Sequence, residues 1–203
     1  MDNIEKELEA GRAVILPTET VYGIFAKALD QEAVDYIYEL KRRPRDKALN
    51  LNVADEKTIR IYSKKQPSYL TKLIDSFLPG PLTIILQAND KVPDWIHSGL
   101  DTVGFRIPAH PKTLDLIRKY GPLVGPSANL SGHASGTKYR AIVSEFDQVV
   151  PGIEDDDFLT GQDSTILDIS SSKARILRQG SITKTDLLAQ VPELSFEEDE
   201  LPQ

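Results

Sequence analysis

The 203-residue sequence has no cysteine, one tryptophan, one methionine and only three histidines, at positions 97, 110 and 133. The absence of cysteine excludes disulfide bonds, thiolate nucleophiles, iron–sulfur clusters and cysteine-bound zinc. The histidines are too far apart to share one metal ion through a helical ligand spacing, so no residue is expected to hold a resident metal. A magnesium ion that arrives with a nucleotide needs few protein ligands and stays compatible with the sequence.

Long apolar runs are also missing, since no stretch approaches the roughly 20 residues that cross a bilayer. The N-terminal residues carry no secretory signal, and 40% hydrophobic with 27% charged residues is typical of a soluble globular protein. The sequence thus predicts a cytoplasmic protein without membrane attachment. Acidic runs at residues 154–157 and 197–200 predict a surface loop and a tail, hence one domain over residues 1–192 and an acidic tail over 193–203.

Hydrophobic periodicity predicts an α/β protein with a twisted, open mixed sheet and helices packed on it. Predicted helices comprise one that stops at Gly11 and others at residues 31–42, 56–63, 68–77, 111–120, 139–146 and 183–191. Predicted strands lie at residues 13–16, 49–53, 82–86, 102–107, 123–124, 148–150, 165–169 and 175–177.

A basic run at residues 41–47 holds five Lys or Arg residues, although the chain has a net charge of -7. Arginine supplies planar paired donors and lysine a compact charge, so this run predicts a pocket for the phosphate groups of a nucleotide. The end of a helix capped by Asp30 explains the same charges equally well, because basic residues favour the last helical turn. The run by itself leaves both interpretations open.

Two arginines follow apolar strand residues, Arg106 before a proline and Arg178 two residues before a glycine. An arginine on a half-buried strand face is unfavourable unless it meets an anion, so Arg106 could clamp a carboxylate. A salt bridge to Glu19 or Asp163 is an equal alternative for Arg106, and Arg178 poses the same question.

The segment that follows the strand at residues 123–124 is rich in small polar side chains. Ser127, Asn129, Ser131 and Ser135 are spaced by two and four residues, and such a loop either binds an anion or forms ordinary turns. We find no Ser/His/Asp triad and no paired carboxylates. These residue types favour a site that neutralises charge and positions its substrates, which is how nucleotidyl transfer is mostly catalysed.

Seven motifs follow one another along most of the chain. They are PTETVYG at residues 17–23, K-x-R-P at 41–44, PGPLT at 79–83, RIPAHP at 106–111, PSANLSG at 126–132, DSTI at 163–166 and LRQG at 177–180. In this order they resemble the YrdC-domain family, whose members make threonylcarbamoyl-adenylate for the modification of tRNA adenosine 37.

The resemblance implies a fold with a deep central cavity and an enzyme that converts ATP, L-threonine and bicarbonate, with Mg²⁺, into threonylcarbamoyl-AMP and pyrophosphate. It also implies tRNA-modification proteins that consume this product. The catalytic residues implied are Lys41, Arg43, Ser127 and Asn129. Implied ATP contacts are Arg43, Lys47, Thr102, Ser127, Ser135 and Arg178, and implied threonine contacts are Thr20, Arg106, Gly125 and Ser164.

One residue departs from the family pattern, and one alternative function stays open. Asn52 stands where many members have a histidine near threonine, which leaves that contact without its usual residue. The alternative is a non-catalytic module of the same fold that binds tRNA or other double-stranded RNA through the basic run.

Overall fold

The computed structural model describes residues 2–147 and 149–197. Within them, nine strands form one open sheet in the order β1-β2-β7-β3-β6-β5-β8-β9, with β4 beside β5. The strands are β1 Val14–Leu16, β2 Gly23–Lys27, β3 Leu51–Asn52, β4 Ser63–Lys64, β5 Leu82–Ala88, β6 Thr102–Arg106, β7 Leu123–Val124, β8 Thr165–Asp168 and β9 Arg175–Arg178. The β3–β6 and β5–β8 pairs are parallel and the others antiparallel, which confirms the predicted mixed α/β architecture.

The helices pack on the sheet, and capping residues set where several of them begin or end. They are α1 Asp2–Glu9, α2 Gln31–Leu40, α3 Glu56–Tyr62, α4 Leu70–Phe77, α5 Asp94–His97, α6 Pro111–Tyr120, α7 Tyr139–Ser144 and α8 Lys184–Gln190, with a 3-10 turn at Asp156–Phe158. Asp30 caps α2 by accepting a hydrogen bond from the Ala33 amide, as the sequence predicts. Among the described residues, no helix combines the length and apolar character that crossing a bilayer requires.

Parts of the predicted pattern differ from the structure. The predicted strand at residues 148–150 is not formed by Val149 and Val150, and Gln148 lies outside the described residues. Val149 is 91% exposed, so the β-branched side chain that favoured a strand does not pack against the sheet. Strands β2 and β4 and helix α5 were not predicted, and Ser63, the last residue of the helix predicted over 56–63, begins β4. Leu194 is buried and Phe196 bridges to Ala174, so the packed chain continues beyond residue 192. The rest of the predicted tail, residues 198–203, lies outside the described residues.

One row of side chains crosses five neighbouring strands of the sheet. In order along the row its members are Asn52 on β3, Arg106 on β6, Thr83 on β5, Ile166 on β8 and Arg178 on β9. Thr83 follows Arg106 in this order because the antiparallel register that pairs Ile84 with Phe105, extended by one residue, brings Thr83 opposite Arg106. Paired residues project from the same face of a sheet, so four polar side chains and one isoleucine lie side by side. Three strand spacings of about 4.8 Å separate the two arginines, which places their backbones about 14 Å apart.

Gly180 lets the end of β9 approach the start of β8. A Cβ atom at this position would lie under 3.0 Å from three backbone atoms of residues 163–165, which cannot move aside as a side chain can. We predict that Gly180→Ala lowers the free energy of unfolding by about 1–3 kcal/mol, measured by urea denaturation.

Gly104→Ala is the matched control for Gly180→Ala. Its Cβ atom would meet chiefly the end of the exposed Asn50 side chain, which can rotate away. Equal destabilisation by the two substitutions would contradict the assignment of the Gly180 effect to the backbone contact.

Candidate active site

The row of side chains on the sheet lines a cavity of about 270 Å³. Its volume is near the lower end of the range of about 300–1,000 Å³ that small-molecule sites occupy. The five row residues all line it, and its walls come from residues 18–25, 43–50, 125–127 and 163–164. The cavity therefore draws on strands and loops from most of the chain.

Arg106 lies at one end of the cavity and is held by the loop at residues 18–20. Its Nη2 group donates hydrogen bonds to Glu19 Oε1 at 2.7 Å, to Thr20 Oγ1 at 2.7 Å and to Thr18 Oγ1 at 3.4 Å. The other oxygen of Glu19 accepts from the Ala109 amide at 2.9 Å. The salt bridge to Glu19 that the sequence left as an alternative is thus present, and it fixes the guanidinium at the cavity edge.

The remaining donors of Arg106 limit how it could hold a ligand. Its Nε atom is buried and makes no hydrogen bond with the described residues. With Nη2 already shared among three oxygens, Nη1 is the donor left for an incoming carboxylate. The paired clamp on a carboxylate stays a prediction, to which Arg106 brings Nη1 and its positive charge.

Arg178 lies at the opposite end of the row and organises the start of β8. Its Nε and Nη2 groups donate to the Ser164 carbonyl at 3.0 Å and to Ser164 Oγ at 3.1 Å. Ser164 is buried, and its hydroxyl also shares a 2.9 Å hydrogen bond with Thr83. Ser164, which was predicted as a threonine contact, thus links Arg178 to Thr83 through hydrogen bonds to both residues.

Arg43 is a further cation that lines the cavity. Its guanidinium donates to the Lys47 carbonyl at 3.2 Å and to the Ala48 carbonyl at 2.8 Å. Burial lowers the pKa of Arg43 from its ordinary value. The cation is therefore oriented by its own loop while part of it faces the cavity.

Lys41 and Asn129 lie behind the cavity wall. Lys41 is 1% exposed, and its Nζ donates to the carbonyls of Ser127 and Asn129. The Asn129 amide donates to the Leu130 and His133 carbonyls, at 2.8 and 3.0 Å. Of the four predicted catalytic residues, Arg43 and Ser127 thus line the cavity, while Lys41 and Asn129 hold the loop that carries Ser127.

The environment of Lys41 is unfavourable to its charge. Burial, followed by the nearby Arg43 cation, lowers the pKa of Lys41 to about 7. The neutral form of the lysine is therefore more favoured than in water, and an anion bound beside it would favour the charged form.

Close packing shapes the wall opposite the row. The ring of Phe25 lies against Gly23 and Gly125, where a Cβ atom would overlap the ring edges. A Cβ atom on Gly125 would also come within 2.8 Å of Asn52 Nδ2. Gly125, predicted as a threonine contact through its backbone, therefore lines the cavity because it has no side chain.

Two predicted nucleotide contacts lie away from this cavity. Thr102 begins β6, four residues before Arg106, which places it about 13 Å along the strand. Lys47 is exposed and does not line the cavity, although its carbonyl accepts from Arg43 and Tyr38.

Two other predicted contacts lie just outside the lining. The Ser135 hydroxyl contacts Asp163, and the Thr20 hydroxyl contacts Arg106. Each of these two side chains is therefore separated from the cavity by the lining residue that it contacts.

The basic run is divided among different partners. Lys41 is buried, Arg42 pairs with Asp147 at 2.8 Å, Arg43 bonds to carbonyls, and Arg45 pairs with Asp35. The run is therefore divided between buried and exposed cations, and two of the exposed ones have carboxylate partners.

Several residues at the cavity were not predicted as substrate contacts. Thr83, Asn50 and Asp163 line the cavity, and Glu19 orients Arg106. Thr83 and Asp163 stand within quoted motifs but were not singled out as contacts, because the strand pairing that aligns them is not visible in the sequence. Within the described residues, no group of three or more His, Asp or Glu side chains could hold a metal ion.

The Sua5/YciO/YrdC family model, described as telomere recombination, matches residues 6–180. The chain belongs to this family. The threonylcarbamoyl-AMP synthase of Pyrococcus abyssi is 38% identical over 177 residues, which cover 86% of this chain and 52% of that protein. The threonylcarbamoyl-AMP synthase of Vibrio parahaemolyticus is 31% identical over 188 residues, covering 89% of this chain and 100% of that protein.

Solved structures of the Sua5/YciO/YrdC family have the same fold. Pyrococcus abyssi Sua5, complexed with L-threonine, has a TM-score of 0.85 at 34% identity and covers 95% of this chain and 57% of its own. Escherichia coli YciO has a TM-score of 0.77 at 22% identity, covers 89% and 88% of the two chains, and supports the fold alone. The chain spans about half the length of the curated relatives from Pyrococcus abyssi and Bacillus subtilis, at 52% and 54%.

Proposed function

We propose that this protein is a nucleotidyltransferase that makes L-threonylcarbamoyl-AMP and pyrophosphate from ATP, L-threonine and bicarbonate. The observation that carries the proposal is the row on the sheet, which places Arg106 and Arg178 three strands apart along the lining of one cavity. Two cationic ends of one site suit an amino-acid carboxylate and a polyphosphate bound side by side. Relatives named threonylcarbamoyl-AMP synthase support the choice of these substrates.

At the Arg106 end, the positive charge would bind the threonine carboxylate through Nη1. Glu19 and the two threonine hydroxyls keep the guanidinium from rotating, so its orientation is set before the substrate arrives. The amine of threonine would then project along the row toward Thr83. There it would attack the carbon of bicarbonate and form a carbamate with release of water.

At the other end, Arg43 and Arg178 would bind the phosphates. A carbamate oxygen attacks the α-phosphorus, the bond to the β-phosphate oxygen breaks, and pyrophosphate leaves with its charge offset by these cations. Ser127, carried by the loop that Lys41 holds, would orient the transferring group. Exclusion of water by the bound substrates would matter, because carbamates and mixed anhydrides hydrolyse readily.

Magnesium would enter with ATP, held largely by phosphate oxygens and water. Asp163 is the single carboxylate among the residues that line the cavity, and the hydroxyls of Ser127 and Ser164 lie on the same lining. This oxygen-rich set fits a hard cation shared with a substrate. The ion would supply charge neutralisation of the departing pyrophosphate.

The product would be consumed by tRNA-modification proteins in the formation of N6-threonylcarbamoyladenosine at position 37, in the cytoplasm. Direct binding of tRNA or other double-stranded RNA stays a prediction, and the division of the basic run among buried and paired residues does not favour it.

An assay of pyrophosphate release tests the proposed function. The purified protein should release pyrophosphate when ATP, L-threonine, bicarbonate and Mg²⁺ are all present, and omission of threonine or bicarbonate should reduce the rate to background. The adenylate itself can be detected by mass spectrometry. Absence of release, combined with salt-sensitive retention of RNA, would instead favour the binding module.

A further inference from the structure

Asp163 places a negative charge within a site that otherwise presents cations and neutral donors to its ligand. It is the carboxylate that lines the cavity, together with Arg43, Arg106 and Arg178. Glu19 lies near Arg106 but is engaged by two donors of its own. The contribution of Asp163 is not explained by charge neutralisation of a polyphosphate.

The contacts of Asp163 occupy groups that a nucleotide would use. Its carboxylate accepts from the Ser135 hydroxyl at 3.3 and 3.4 Å, and Arg178 Nη1 lies 3.7 Å from Oδ2. These distances are long for hydrogen bonds to a charged group, which are usually about 2.7–2.9 Å. The carboxylate is 36% exposed, so it faces solvent at the cavity and can be approached by a ligand.

A phosphate bound by Arg178 would come within a few ångströms of this carboxylate. Two like charges at that distance repel each other, and the repulsion is strongest where water is partly excluded. A divalent cation placed between the two anions reverses the sign of the interaction. Magnesium in nucleotide sites is commonly held in this way, by one or two carboxylates and the substrate phosphates.

We propose that Asp163 makes nucleotide binding depend on a divalent cation, by opposing the metal-free polyphosphate and supplying a carboxylate oxygen to the ion of the metal-bound form. Asp163 thereby selects the complex of magnesium and nucleotide over the free nucleotide. This inference rests on the proposed function, because it assumes that the Arg178 end of the cavity receives phosphates.

Isothermal titration calorimetry with α,β-methylene-ATP, in excess Mg²⁺ or in EDTA, tests the inference on the intact protein without turnover. We expect the wild-type protein to bind the analogue about tenfold or more tightly with Mg²⁺. Asp163→Asn should bind the metal-free analogue more tightly than the wild type does, and its ratio of affinities should fall to about threefold or less. Asp163→Glu keeps the negative charge, so its ratio of affinities with and without Mg²⁺ should stay above that of Asp163→Asn.

Asp157→Asn is the matched control, since Asp157 is an exposed carboxylate that does not line the cavity. It changes the net charge by the same amount and should keep the wild-type ratio. If the wild-type protein binds the analogue but Asp163→Asn retains the full magnesium dependence, the inference is wrong and the proposed function stands. If the wild-type protein binds the analogue under neither condition, both are overturned.

Discussion

Substitution of Arg106 by Gln is expected to raise the KM for threonine about 100-fold while the KM for ATP changes little. The guanidinium charge is the predicted partner of the threonine carboxylate, and hydrogen bonds to charged groups are worth about 1.5–3 kcal/mol each. Arg178 and Arg43 lie elsewhere in the cavity and keep their own partners. Pyrophosphate release at varied threonine and varied ATP measures the two constants.

The same substitution should also destabilise the fold, because it leaves the Glu19 carboxylate with the Ala109 amide as its remaining partner. Both members of the pair are largely buried, and removal of one partner costs about 3 kcal/mol. The double variant Arg106→Gln/Glu19→Gln removes both charges and should recover much of the stability without recovering threonine affinity. Recovery of both properties would show that Arg106 acts only through the fold.

Arg118→Gln provides the matched control for Arg106→Gln. Arg118 lies on the exposed face of α6, where it pairs with Asp115 at 2.9 Å. Exposed ion pairs contribute about 1 kcal/mol or less, so this variant should keep wild-type kinetics and nearly wild-type stability. A similar rise in the threonine KM would point to a general charge effect.

Substitution of Lys41 by Met is expected to lower turnover about 100-fold or more and to change how stability depends on pH. Lys41 fixes the Ser127 and Asn129 carbonyls, so its loss frees the loop that carries Ser127. Because the lysine is fully buried, it is part of the packed wall as well as of the site, and replacement by the shorter alanine would also open a cavity.

The pH dependence has a definite sign. Burial holds the pKa of Lys41 near 7 in the folded protein, against an ordinary value of 10.5 that the unfolded chain regains. Between these values the unfolded chain binds a proton that the folded protein does not, so stability rises with pH across this window. The full rise is at most about 4–5 kcal/mol, and it is absent below the folded pKa, where both states are protonated.

Urea denaturation between pH 6.5 and 10 checks this prediction. The free energy of unfolding of the wild-type protein, minus that of Lys41→Met, should increase with pH. Lys47→Met removes a charge of the same sign from an exposed position of the same run and should show no such increase relative to the wild type. A flat difference for Lys41→Met would mean that the lysine stays charged in the folded protein.

Local signals predicted the helices better than the sheet. The α6 boundaries were predicted in full, because Pro111 favours a helix start and Gly121, with φ of 81°, favours its end. The sequence pattern does not predict the short strand β2, whose first residue, Gly23, is also the last residue of the PTETVYG motif. Its position is set by pairing with β1 and β7, which is a property of the assembled sheet.

The site was predicted in its residue types more than in its geometry. The motifs supplied Arg43, Arg106, Ser127 and Arg178, all of which line the cavity. The burial of Lys41 could not be predicted, since lysines are rarely fully buried and most of the run around it is exposed. Thr83 joins the site through register, which links strands distant in the chain.

The row across five strands has a consequence for folding. Its members lie between residues 52 and 178, and the pairings of Asn52 with Arg106 and of Thr83 with Ile166 close long loops of chain, so the ligand pocket is complete only when these loops have closed. A small molecule that binds in this cavity therefore binds the complete native state and no partly folded form of the chain. Threonine or nucleotide should consequently protect backbone amides throughout the sheet from hydrogen exchange, far from the atoms they touch.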